Sequence, residues 1–211
     1  FIGSYAGRFN TTGNQNTFVG VYAGYTNTTG SNNAFIGINA GTSNTIGGNN
    51  CFIGPQAGQA NTSGNSNTYI GRSAGLASTT PSNNTFIGYF AGQANTTGAD
   101  NTYIGYNSGG SATLTNATAI GSGAQATASN SVILGNNANV GIGNTAPSQK
   151  LHVTGTERLT GAFYDKNNDP GTAGQVLSST VTGTDWVAAS GATGATGAAG
   201  AACAATGAPT I

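Results

Sequence analysis

One phrase, aromatic-Ile-Gly, returns at intervals of seventeen residues through the first half of the chain. It reads Phe1-Ile2-Gly3, Phe18-Val19-Gly20, Phe35-Ile36-Gly37, Phe52-Ile53-Gly54, Tyr69-Ile70-Gly71, Phe86-Ile87-Gly88 and Tyr103-Ile104-Gly105. An Ala-Gly pair follows at fixed distance, from Ala6-Gly7 to Ala91-Gly92, with Ser108-Gly109 as a variant. Asn closes the repeats at Asn16, Asn33, Asn50, Asn67, Asn84 and Asn101. A fixed short period marks a unit that cannot bury an apolar face alone and must stack on copies of itself. The period therefore predicts an all-β fold, a solenoid of stacked coils over residues 1–117.

Composition agrees. Charged residues make up 5% of the chain, against roughly a quarter in ordinary soluble domains. With so few large aliphatic side chains, a wide globular core is out of reach. Strict periodicity and evenly spaced aromatics argue against disorder. Stacked backbone hydrogen bonds and contacts between chains are left to hold the molecule together. The formal net charge is zero, and before Lys150 the charged residues are Arg8, Arg72 and Asp100. That excludes the basic footprint of a nucleic-acid binder and a polybasic membrane patch. No apolar run approaches the length of a membrane span. The chain carries no Met and starts inside a repeat, so we read it as part of a longer protein, with any signal peptide upstream.

Each repeat must supply a strand and its turns. Asn67-Thr68-Tyr69-Ile70-Gly71 is one strand copy, since β-branched and aromatic residues suit a pleated surface. Alternation puts Thr68 and Ile70 on one face, Asn67 and Tyr69 on the other. The expected coil core is the aliphatic series Ile2, Val19, Ile36, Ile53, Ile70, Ile87 and Ile104, continued by Ile120 and Leu134. The aromatics Phe1, Phe18, Phe35, Phe52, Tyr69, Phe86 and Tyr103 would then form a stacking ladder along one edge of the column. Exposed, such a ladder would aggregate. Three copies burying their ladders on a common axis resolve this; rings filling the interior of a single-chain solenoid are the alternative. Gly3, Gly20, Gly37, Gly54, Gly71, Gly88 and Gly105 read as turn glycines. The phrase Asn-Thr-Thr-Gly, at 10–13, 27–30 and 95–98, is turn chemistry with Gly at positive φ. Cys51 and Cys203 are too far apart, in unlike segments, to make a disulfide framework. Cys51 shares its repeat slot with Thr17, Ala34, Thr68, Thr85, Thr102 and Ala119, and reads as a small buried residue.

From residue 118 the period shortens to fourteen: Ala119-Ile120-Gly121-Ser122-Gly123-Ala124-Gln125-Ala126 is echoed by Ile133-Leu134-Gly135-Asn136-Asn137-Ala138-Asn139-Val140. Residues 118–143 resemble the head repeats of YadA-like trimeric autotransporter adhesins, with an Ala-Ile-Gly strand followed by Ala-x-Ala. The resemblance implies a left-handed parallel β-roll assembled as a homotrimer. The seventeen-residue units look like a longer-turn version carrying a bulky residue in the usual small slot.

Residues 144–190 read as a β connector. Gly141-Ile142-Gly143 to Lys150-Leu151-His152-Val153 is similar to a connector phrase of bacterial surface fibres and phage tail fibres. Leu151 and Val153 alternate with polar neighbours as in a half-buried strand. Glu157 to Tyr164 is a further candidate strand. Gln175–Ser179 and Thr184–Val187 flank Thr182-Gly183 as a hairpin, with Trp186 as a packing anchor. In residues 191–211, Gly191, Gly194, Gly197 and Gly200 open four collagen-type triplets, before Cys203 breaks the phase. Only Gly fits the axis of a triple helix, so these glycines predict a short collagen-like segment, or else a Gly/Ala linker. A collagen-like segment requires three chains.

Catalytic and metal chemistry find no footing. His152, the one His, has no Cys/His cluster at ligand spacing. Asp100, Asp165, Asp169, Asp185 and Glu157 show no pairing. Asp165 to Asp169 looks like the start of a calcium loop, but Pro170 stands where Gly is needed, and a turn is expected. Gly121 to Ala126 fits a dinucleotide fingerprint formally but opens no helix. The expectation is a non-enzymatic extracellular homotrimeric fibre segment, an adhesin head or stalk presenting or spacing a receptor-binding part on a cell or virion surface. It needs no cofactor and no metal. Its partners are its own copies and, beyond them, surface glycans or host matrix, with neither nucleic acid nor membrane contact in this segment. A phage tail fibre and a purely structural filament are the alternatives. An enzyme lacks the charged residues, and an ice-binding solenoid would require a flat Thr array where Thr here clusters in turns.

Overall fold

The computed structural model describes residues 1–158, 160, 162–165, 167–172, 175–180 and 183–188. It divides into two compact units, Phe1–Thr154 and Gly155–Ile211. The first is a parallel β-solenoid. Its main strands are β1 (Thr17–Val19), β2 (Ala34–Ile36), β3 (Cys51–Ile53), β4 (Thr68–Ile70), β5 (Thr85–Ile87) and β6 (Thr102–Ile104). Then come β7 (Gly109–Gly110), β8 (Ala117–Ile120), β9 (Gln125–Ala126), β10 (Ser131–Leu134), β11 (Val140–Ile142) and β12 (Leu151–Val153). An eight-stranded sheet runs β1-β2-β3-β4-β5-β6-β8-β10. Each strand pairs in parallel with its own copy one repeat on, as in Phe35↔Phe52 and Ile36↔Ile53. Pairs β7–β9 and β11–β12 complete the unit. The β11–β12 pairing carries Leu151–Val153 back onto the coils, so the expected boundary at residue 144 falls between paired strands.

The interior is the reverse of the expected one. Phe18, Phe35, Phe52, Tyr69, Phe86 and Tyr103 are fully buried within the single chain. Only Phe1, with a coil on one side, is open. The rings stack face to face with centroids 4.8 to 5.0 Å apart, one coil rise. The aliphatic series expected in the core points outward: Ile36, Ile120 and Leu134 are exposed, as is Ile2 at the end, and Val19, Ile53, Ile70, Ile87 and Ile104 are half-buried. The physical reason is volume. An aromatic ring removes about 150–250 Å² from water, more than Ile, and a seventeen-residue coil encloses room for it. The Ala-Gly pair provides that room. A Cβ at Gly24 would lie 2.7 Å from the Phe18 ring. Where the coil shortens, the ring slot is filled by Ala119, which pairs with Tyr103.

Two Asn series share the interior with the rings, and each is laced by hydrogen bonds from coil to coil, with Asn61 Oδ1 and Asn95 Oδ1 left without a partner among the described residues. In the strand series, each side chain accepts from the backbone N–H of the next Asn: Asn33 N–H to Asn16 Oδ1 at 2.9 Å, Asn50 to Asn33 at 3.0 Å, Asn67 to Asn50 at 2.9 Å. Its Nδ2 donates to a turn carbonyl of the following coil, as Asn50 does to Gly64 at 2.8 Å. In the turn series, amide bonds amide: Asn27 Nδ2 donates to Asn10 Oδ1, Asn44 to Asn27 and Asn61 to Asn44, each at 2.7 Å.

The strand-following glycines Gly3, Gly20, Gly37, Gly54, Gly71, Gly88 and Gly105 take φ between 131° and 136°, as expected of a position closed to other residues. The Gly of Asn-Thr-Thr-Gly differs from expectation. It is not at positive φ; it is required because a Cβ at Gly30 would meet the Gly47 carbonyl oxygen at 2.3 Å. Cys51 is another correction. Its slot faces outward, half-buried, and the pairing Thr102↔Thr118 puts Thr118 in that slot in place of Ala119.

In the second unit, β13 (Gln175–Thr180) and β14 (Gly183–Ala188) form the expected antiparallel hairpin, with Leu177 opposite Trp186. Trp186 Nε1 donates to the Phe163 and Asp169 carbonyls at 3.2 and 3.0 Å. Asp165 Oδ1 accepts the backbone N–H groups of Asn167 and Asp169 at 2.8 and 3.0 Å, which makes the acidic stretch a turn. No strand forms among the described residues from Glu157 to Tyr164; the Phe163 carbonyl there accepts from Trp186 instead. Gly191, Gly194, Gly197, Gly200 and Cys203 lie outside the described residues.

Candidate functional site

The stacked strands β1–β6, β8 and β10 present one flat outward face. It carries two parallel rows. One is Val19, Ile36, Ile53, Ile70, Ile87, Ile104, Ile120 and Leu134; the other is Thr17, Ala34, Cys51, Thr68, Thr85, Thr102, Thr118 and Val132. The register keeps both rows straight, because each residue pairs with the residue of the same slot one coil on. No charged residue lies in these strands. The row of eight strands rises about 34 Å at ~4.8 Å per strand. This is a long apolar stripe with a polar border, the kind of exposed surface that marks an interaction site.

Sequence reasoning placed the two series correctly on opposite faces but assigned the wrong one to the inside. The signal that separates them is the Ala-Gly pair. Two small residues at a fixed offset from a large one report the cavity the large one fills.

A second surface feature lies on the turn side. Tyr5 stacks on Tyr22 with centroids 5.2 Å apart, Tyr22 meets Tyr25 edge-on, and the Arg8 guanidinium sits 4.9 Å above the Tyr5 ring. Further along, Tyr89 stacks on Tyr106 at 5.7 Å. These exposed rings are absent from the middle coils, where Asn39, Gln56 and Ser73 occupy the slot of Tyr5 and Tyr22.

Among the described residues no group of His, Cys, Asp or Glu is arranged to hold a metal ion, and no helix is long and apolar enough to cross a membrane. His152 is tied into the chain, with Asn144 Nδ2 3.1 Å from its Nε2 and the Ser148 backbone N–H 3.3 Å from its Nδ1. Comparisons with protein-family models, curated proteins and solved structures find no match.

Proposed function

We propose that the chain is a segment of a non-enzymatic extracellular fibre, a left-handed β-roll column in which three copies meet along their outward Ile and Thr rows. The observation that carries this reading is the straight, charge-free apolar face of β1–β6, β8 and β10. A single chain completes its own aromatic interior, so association serves to cover this second apolar surface. The resemblance of residues 118–143 to trimeric adhesin heads and the triplets opened by Gly191, Gly194, Gly197 and Gly200 support the number three. A fibre of this build acts as an adhesin head or stalk on a cell, or as a tail fibre on a virion, presenting or spacing a receptor-binding part. Surface glycans and host matrix suit its neutral, amide- and hydroxyl-rich turns.

Sedimentation equilibrium tests the assembly, with a trimer mass expected over the accessible concentration range. A Cys203→Ser chain carries Cys51 as its one thiol, on the proposed contact face. A short bifunctional maleimide is expected to link two chains through it. A compact, folded monomer that gives no cross-link rejects the reading.

One observation favours a second reading. Thr68, Thr85, Thr102 and Thr118 project from the sheet at one-coil spacing, a regular hydroxyl array of the kind that can order water as ice does. That role requires the face to be open. A monomer with thermal hysteresis would put ice binding in place of the fibre.

A further inference from the structure

Where seventeen-residue coils give way to shorter ones, the column has a step. In every earlier coil the backbone N–H at one turn position donates to the next coil: Phe9 to Tyr25, Thr26 to Thr42, Ser43 to Gln59, Ala60 to Leu76 and Ala77 to Gln93, at 3.1 to 3.3 Å. Ala94 is next in this series, and its N–H has no acceptor among the described residues. The chain beyond it has drawn in to pair Gly109–Gly110 with Gln125–Ala126. The step leaves a shallow cleft of about 70 Å³ lined by Phe90, Gln93, Ala94, Asn107, Gly109 and Gln125, among others.

The chemistry of this cleft is specific. Gln125 Nε2 donates to the Asn107 carbonyl at 2.7 Å, which fixes that side chain and leaves its Oε1 as an acceptor. The side-chain amides of Gln93 and Asn107 make no hydrogen bond among the described residues. With the Ala94 N–H, these groups supply both donors and acceptors beside Phe90, and no lining residue is charged. Phe90 holds φ 59°, a conformation suited to Asn and costly for a bulky side chain. Tyr5, Tyr22, Asn39, Gln56, Ser73 and Asn107 hold the same slot at positive φ in the other coils, so the conformation belongs to the repeat and the local difference is the step beside it.

We propose that this cleft binds a neutral saccharide unit. A pyranose ring offers an apolar C–H face to Phe90, and vicinal hydroxyls that both donate and accept. It carries no charge for the cleft to neutralise, whereas a phosphate or carboxylate ligand would need the Arg or Lys that is absent from the lining. The cleft is too small to enclose a whole ligand of ordinary size and takes one side of a sugar. All lining residues belong to one chain and none to the outward Ile and Thr rows, so the site stands whether or not the chain forms a trimer.

Saturation-transfer NMR of the full chain with neutral hexoses, N-acetylhexosamines and their disaccharides is the test. At least one is expected to bind at millimolar concentration. Phe90→Asn, a substitution to the residue found in this slot at Asn39 and Asn107, is expected to weaken binding about tenfold. The matched Tyr22→Asn, in a coil without the step, is expected to leave it unchanged. Gln93→Leu supplies a second probe, since Leu76 holds that slot one coil earlier. No saturation transfer from any neutral saccharide at tens of millimolar overturns the proposal. So does binding confined to anionic sugars, or binding indifferent to both Phe90→Asn and Gln93→Leu.

Discussion

Asn61 Oδ1 is buried without a hydrogen-bond partner because the next rung of its amide ladder is Ser78. The Ser78 hydroxyl turns instead to the Asn95 carbonyl at 3.2 Å. The break has a cause three residues on. At Gly64, one coil earlier, an added Cβ would lie 2.4 Å from Asn61 Oδ1. Pro81 stands in that slot in the Ser78 coil, and its Cβ leaves no room for an Asn carboxamide. Ser78→Asn alone is therefore expected to destabilise the column. Combined with Pro81→Gly it is expected to rejoin the ladder and raise the urea midpoint above wild type. A double-mutant cycle should return a coupling of roughly 1–3 kcal/mol; additive single effects would contradict the ladder account.

The inner and outer faces of a strand should respond differently to truncation. Phe52 is fully buried and stacks on Phe35 and Tyr69, both at 4.8 Å. Phe52→Ala is expected to cost about 3–5 kcal/mol in denaturant unfolding. Its neighbour Ile53 faces outward. Ile53→Thr is expected to cost the isolated coil about 1 kcal/mol or less and to act on association, lowering the trimer fraction in sedimentation. Equal unfolding penalties for the two would mean that the inside and outside have been confused.

Glycine substitutions separate backbone approach from mere absence of a side chain. At Gly88, with φ 136°, a Cβ would meet the Gly105 carbonyl oxygen at 2.4 Å. Gly88→Ala is expected to destabilise by about 3 kcal/mol or more, from strain and the forced parting of two coils. At Gly109 the nearest atom to an added Cβ is Gln125 Oε1 at 3.7 Å. Gly109→Ala is expected to stay within about 0.5 kcal/mol of wild type. Thermal unfolding of the pair measures the contrast.

The Tyr69 and Tyr103 hydroxyls are buried with no hydrogen-bond partner. Burial pushes the Tyr103 phenol up to about 12. It raises Tyr69 as well, with Ser78 and Asn84 close enough to temper the shift without reaching hydrogen-bond geometry. An unfolded tyrosine ionises near 10. Between the two values the unfolded chain has released its proton and the folded chain has not. Stability is therefore whole below about pH 10 and declines as pH rises from about 10 to 12. Tyr103→Phe is expected to flatten that decline in urea titrations. Tyr69→Phe is expected to gain about 1 kcal/mol at neutral pH by removing an unsatisfied group. A loss of stability on Tyr69→Phe would show that its hydroxyl has a partner after all.

The architecture was legible in the sequence because a seventeen-residue period admits few structures. The alternation Asn-Thr-Tyr-Ile, the turn glycines and the Gln175–Val187 hairpin all followed from local rules. Which face of the strand lies inside did not, because that choice depends on the width of the whole coil. Ile70 and Tyr69 are both apolar, and strand periodicity alone treats them alike. The buried Asn series also misleads a reading in which polar means outside, since Asn67 becomes an interior residue only once the coils above and below supply its partners. The cleft at Phe90 was hidden for a related reason. It arises from a difference between two periods, and no residue in it breaks a local pattern conspicuously.

The strand-series Asn ladder carries a consequence for how such a column changes length. Each interior rung bonds to the rungs before and after it and to a turn carbonyl of the following coil, in a pattern that recurs from coil to coil. Tandem duplication or loss of one repeat in the coding sequence leaves every remaining rung with neighbours of the kind it already had. Reach can therefore be altered in steps of one coil, about 4.8 Å, without any new residue being needed to heal the join. A duplication that is not a whole number of repeats would misalign amides and rings together and be lost with the unfolded product.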